Sequence, residues 1–113
     1  MFSTRVRMTI EWFLPVGQTR PMTMTLHSLA ADTRTMRGCV ACSVSTDISN
    51  HASVRYTEEW QTEEDLRRRV ASDRFGYIVA LMEDTTEPPR VEFHLPHETR
   101  GLDFIEEVRA ATP

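Results

Sequence analysis

Apolar and polar positions alternate cleanly along Val6–Phe13, with Val6, Met8, Ile10 and Trp12 on one side and Arg7, Thr9 and Glu11 on the other. That is the pattern of a half-buried strand. Leu14-Pro15-Val16-Gly17-Gln18 reads as a turn, after which Thr19 is placed to cap a helix with Pro21 in its first turn. Met22, Leu26, Leu29, Thr33 and Met36 recur at helical spacing and make one stripe, and Gly38 stands where a left-handed residue would stop the helix. Cys39–Ser45 predicts a second strand with Val40, Cys42 and Val44 aligned, and Asp47-Ile48-Ser49-Asn50-His51 a polar connection of hairpin length.

A third strand, Ser53–Trp60, carries Val54, Tyr56, Glu58 and Trp60 on one face. A carboxylate therefore falls among aromatic rings. A short helix follows, with Thr62 as its expected N-cap, Glu63–Asp65 in its first turn and Arg67–Arg69 in its last, an order that complements the helix dipole. Ser72 or Asp73 restarts a second helical piece whose stripe is Phe75, Ile78, Val79 and Met82. Pro88-Pro89 lead into a last strand over Arg90–Leu95, and beyond Pro96 the stretch Thr99–Ala110 predicts a short helix with Leu102, Ile105 and Val108 on one side. Strand, helix, strand, strand, helix pair, strand is the split βαβ order: an α+β, ferredoxin-like fold with a four-stranded antiparallel sheet and helices on one face. The opposite face would hold Arg7, Thr9, Glu11, Ser43, Arg55, Thr57, Glu59, Glu92 and His94.

Composition narrows the function classes. A chain of 113 residues, 40% apolar and 27% charged, is expected to form one core. Its net charge is −4, every basic residue is arginine, and the one basic run follows three acids that can neutralise it, so a nucleic-acid footprint is not expected. No stretch approaches the roughly 20 apolar residues that span a bilayer, and no apolar signal-peptide core leads the chain, so a cytoplasmic location is expected. Cys39-Val-Ala-Cys42 has redox or zinc spacing, but in a regular strand the two thiols would face opposite ways. His27, His51, His94 and His97 are dispersed and share no ligand spacing.

The turn at Pro15-Val16-Gly17, the run Thr33-Arg-Thr-Met-Arg-Gly-Cys39, and above all Glu58-Glu59-Trp60-Gln-Thr-Glu-Glu-Asp-Leu66 followed by Ser72-Asp73-Arg74-Phe75 resemble the antibiotic biosynthesis monooxygenase family over roughly positions 5 to 95. The resemblance implies a ferredoxin-like domain over 1–98, with 99–113 as a helical tail packing on its own or the partner subunit. It also implies a homodimer closed through the sheets as a dimeric α+β barrel. It further implies a monooxygenase that uses no cofactor, acting on a phenolic or quinol-type aromatic with dioxygen. The alternatives are a non-catalytic small-ligand binding or assembly protein on the same barrel, and a haem-degrading relative. In the family pattern a glutamate two positions before the tryptophan is joined by a histidine on the next helix. Glu58 and Trp60 match, and Arg69 stands at the histidine position.

Candidate chemistry follows from that placement. Between sheet and helices, Trp12, Tyr56 and Trp60 would wall an aromatic ligand, with Phe75 and Tyr77 as further ligand contacts and Arg74 at the rim. Glu58 would be either a base for a phenolic proton or half of an ion pair with Arg69, which would serve as counter-charge to the anion that reduces dioxygen.

Overall fold

The computed structural model describes residues 4–47, 49 and 52–111. The elements are β1 (Val6–Phe13), α1 (Thr19–Thr33), β2 (Cys39–Thr46), β3 (Ser53–Trp60), α2 (Glu63–Ala71), α3 (Phe75–Glu83), β4 (Arg90–His94), β5 (Thr99–Arg100) and α4 (Leu102–Ala110). The sheet runs β2-β3-β1-β4-β5, all antiparallel. This is the ferredoxin-like α+β fold, with one strand more than the alternation predicts. The extra strand is two residues long: Leu95 donates to the Glu98 carbonyl across a turn at Pro96-His97, which pairs Phe93 with Arg100 before α4 begins.

Alternation in β1 and β3 becomes burial. Val6, Met8, Ile10, Trp12, Val54, Tyr56, Glu58 and Trp60 are all enclosed, against Leu26 and Ala30 of α1, Leu66 and Val70 of α2, and Phe75 and Ile78 of α3. Phe93 joins them from β4, with its ring centroid 4.6 Å from that of Phe104 in α4, whose Ile105 and Val108 are buried too. The tail thus seals the β4 end of the core.

Three local expectations need correction. Gln18, without a side-chain hydrogen bond, occupies the N-cap of α1, and Thr19 is already helical because the Pro15 carbonyl captures the Gln18 amide in the preceding turn. The helix ends at Thr33, so Gly38 (φ +88°) does not stop it but turns the chain into β2. A side chain is also excluded at Gly38, because a β-carbon would lie 2.5 Å from Cγ of Asp65. Finally, β2 carries a bulge between Cys39 and Ala41, so Cys39 pairs with Trp60 and Cys42 with Glu58. Since Trp60 and Glu58 share a face, both thiols point inward, contrary to the opposite-facing reading. Both are free cysteines.

Candidate active site: a buried ion pair beneath an arginine-lined cavity

Strand β3 and helix α2 build the centre. The Thr62 side chain caps α2 by accepting from the Asp65 amide at 3.1 Å, which sets the helix phase so that Leu66, Arg69 and Val70 face the sheet. Arg69 therefore enters the core, 4% exposed, and meets Glu58, which is wholly enclosed. Its Nη2 lies 3.0 Å from Glu58 Oε2, and its Nε donates to both carboxylate oxygens at 3.3 and 3.2 Å. The Tyr56 hydroxyl donates to Oε2 at 2.6 Å and the Trp60 indole to Oε1 at 2.9 Å. Thr33 completes the ring of contacts: it accepts from Arg69 Nη2 at 3.1 Å and donates to the Leu29 carbonyl at 2.8 Å.

Of the two roles open to Glu58, this is the ion pair. Both oxygens are enclosed and occupied by protein donors, which leaves no open side for a ligand hydroxyl to approach. The interior pocket expected between Trp12, Tyr56 and Trp60 is filled with side chains; Trp12 is fully buried and its indole nitrogen has no hydrogen-bond partner. Burial first, then the Glu58 charge, push the Tyr56 hydroxyl far above its ordinary range. Burial pushes Cys42 up to about 12, with Glu58 adding to the rise against a Tyr56 hydrogen bond that lowers it. For Arg69, burial favours the neutral form, but the Glu58 charge and hydrogen bonds outweigh it and hold the guanidinium protonated.

A cavity lies just outside this ring. It measures about 250 Å³ and is lined by Met36, Arg37, Trp60, Asp65, Arg68, Arg69, Ser72 and Arg74. Of the residues named from the sequence it gathers Trp60 and Arg69, with Arg74 at its edge. Tyr56 and Phe75 lie behind the wall, Phe75 under the Arg69 guanidinium at 5.4 Å, and Tyr77 is 65% exposed on α3. Arg69 also lines this cavity. Nε and Nη2 are spent on Glu58 and Thr33, while Nη1 makes no hydrogen bond among the described residues. Trp12 Nε1 is the only buried side-chain nitrogen or oxygen found without a partner there, so Nη1 reaches solvent space.

Pattern reading missed Thr33, whose one signal is a hydroxyl on an apolar helical stripe, and Met36, Arg37, Asp65, Arg68 and Ser72, which the turn before β2 and the α2–α3 junction bring together. His27 and His97 are exposed, His94 lies 3.2 Å from Glu92 on the far side of the sheet, and His51, Ile48 and Asn50 fall outside the described residues. Among the described residues no cluster of three or more His, Cys, Asp or Glu side chains is suited to a metal ion, and no helix is long and apolar enough to cross a membrane.

Fold and cavity define a ferredoxin-like domain with a small cavity between β3, the turn after α1 and the α2–α3 region. The model of the antibiotic biosynthesis monooxygenase family matches residues 6–81, and the chain belongs to that family. Among solved structures it is similar to a conserved protein from Methanosarcina mazei Go1, with a TM-score of 0.71 and 21% identity over 82% of this chain and 93% of that one. It is also similar to a protein from Shewanella oneidensis, with a TM-score of 0.71 and 19% identity over 88% and 93%. A candidate antibiotic biosynthesis monooxygenase from Deinococcus radiodurans has a TM-score of 0.72 and 17% identity over 82% and 93%. At these identities the likeness is one of fold. No protein of curated function matches the sequence.

Proposed function

We propose that the chain binds a small hydroxylated aromatic ring in the Trp60 cavity and oxidises it with dioxygen, as a monooxygenase that draws its electrons from the substrate. The observation that carries this reading is the single free nitrogen of an otherwise saturated, permanently charged guanidinium, at the edge of an indole wall. The ring packs on Trp60 and its hydroxyl oxygen accepts a hydrogen bond from Arg69 Nη1, which strengthens as the phenol ionises. An electron-rich phenolate reduces dioxygen. For a hydroquinone, one oxygen atom enters the ring, the other leaves as water, and the substrate supplies all four electrons, giving a hydroxyquinone. Glu58 acts here as a positioning residue: it fixes Arg69 with Nη1 outward and keeps it charged. The phenolic proton leaves to solvent through the cavity mouth.

Two copies pair through the outer sheet face, where Arg7, Thr9, Glu11, Arg55, Thr57, Arg90, Glu92 and His94 line a shallow depression of about 400 Å³. The alternating charges there suit a self-complementary contact. Light scattering at micromolar concentration is expected to give twice the 13.0 kDa chain mass, and a monomer would remove the dimer.

Oxygen uptake with a panel of dihydroxybenzenes and dihydroxynaphthalenes tests the chemistry. Uptake that is strongly reduced in Arg69→Lys and Trp60→Leu supports the reading; uptake equal to the parent in both contradicts it. A ligand-binding role without turnover has one observation in its favour, the saturation of Glu58. It would show as ring binding with no oxygen consumed by any panel member.

A further inference from the structure

We propose that the ring held in the Trp60 cavity carries a carboxylate, and that Arg37 is the residue that selects it. The inference rests on the cavity reading above and deepens it to a substrate class, the hydroxylated aromatic acids. Four guanidiniums line this wall, but three are already matched. Arg69 is neutralised by Glu58 at 3.0 Å, Arg68 by Asp65 at 2.9 Å with Glu64 at 3.8 Å, and Arg74 by Asp32 at 3.0 Å. Asp65, the one acid in the lining, is taken up in turn by Arg68 and by the Thr62 hydroxyl at 3.0 Å. Arg37 has no carboxylate within 4.0 Å and no hydrogen bond among the described residues. Among the described residues, Arg37 is thus the one guanidinium of this wall in no ion pair or hydrogen bond, its charge acting on Asp65 only at longer range.

The backbone around Arg37 is fixed in advance. The Cys39 amide donates to the Met36 carbonyl at 3.1 Å, closing the turn, and the Gln61 amide donates to the Gly38 carbonyl at 2.9 Å, tying it to the end of β3. Gly38 lets this turn lie against the Asp65 carboxyl, where any side chain would collide. Arg37 is consequently held at the cavity while its side chain stays exposed. A neutral diphenol has nothing to offer that guanidinium, whereas a ring carboxylate meets it as a bidentate partner.

Hydroquinone and gentisate differ by one carboxylate on the same ring, and calorimetric titration of the full chain with each separates the two levels of the proposal. Gentisate is expected to bind about tenfold tighter than hydroquinone, the scale of one charge-assisted hydrogen bond, and the ratio should shrink as salt is raised. In Arg37→Ala the ratio should fall to within about twofold, with Arg37→Lys between the two, since Lys keeps the charge but not the fork. Equal affinity for both compounds in the parent overturns the carboxylate and leaves the cavity reading standing. A ratio that survives Arg37→Ala overturns the assignment to Arg37. Binding of neither compound overturns the inference together with the cavity reading.

Discussion

The sheet carries a carboxylate and a guanidinium in contact on each of its faces, and the two pairs live in different physics. On the inner face, Glu58 and Arg69 are 0% and 3% exposed at their side chains, and every polar atom but one is bonded to protein. On the outer face of the single chain, Glu11 and Arg55 lie 3.4 Å apart with side chains 17% and 56% exposed, and Glu11 also accepts from the Ser53 hydroxyl at 2.9 Å. The inner charges lost their hydration on folding, so each depends on the other, whereas the outer ones do not. Burial makes the inner pair a fixture that can aim one guanidinium nitrogen at a ligand. The outer pair is an adaptable surface suited to a partner's charges.

Removing one inner partner should have the largest effect. Glu58→Gln or Arg69→Ala is expected to lower unfolding free energy by about 3–5 kcal/mol in urea titrations, because the survivor is left charged and dry. The double replacement Glu58→Leu with Arg69→Met should recover most of that stability while losing ring binding, which separates fold from function. Tyr56→Phe comes next, at about 1.5–3 kcal/mol for a hydrogen bond to a charged group. Thr62→Ala should cost about 1 kcal/mol through the lost cap and should loosen Arg69 with it. Arg55→Ala should change stability by less than about 1 kcal/mol. An Arg55→Ala loss as large as that of Arg69→Ala would erase the contrast between the faces.

Alkali sharpens the same contrast. Cys42 is raised from 9.0 to about 12, and Tyr56 is raised above its ordinary 10.0; both are neutral in the folded chain. The unfolded chain ionises first, so their contribution is intact below pH 9 and is lost as pH climbs from 9.0 toward about 12. Cys42→Ala should flatten that decline. At pH 8 an exogenous disulfide reagent should modify the half-exposed Cys39 well before the buried Cys42.

Much of this was legible from spacing alone. Alternation through Val6–Phe13 and Ser53–Trp60 identified the inner faces, and the order of elements identified the topology. The Thr62 cap was readable because its signal is local. The closed state of Glu58 was not readable, because whether an acid on an apolar face meets space or a guanidinium depends on how deeply Leu66 and Val70 seat α2, a matter of packing. The bulge at Cys39 escaped for the same kind of reason, since one extra residue in an edge strand leaves the hydrophobic pattern nearly unchanged. Arg37 was hidden because its role comes from a turn that meets α2 only in three dimensions.

The most direct test of the account is a crystal structure with hydroquinone bound at saturating concentration. The account predicts the ring in van der Waals contact with the Trp60 indole and one hydroxyl oxygen about 3 Å from Arg69 Nη1, with Glu58 still closed in its ring of donors. A ring found elsewhere on the chain, or one bonded directly to a Glu58 that has let go of Arg69, would contradict it.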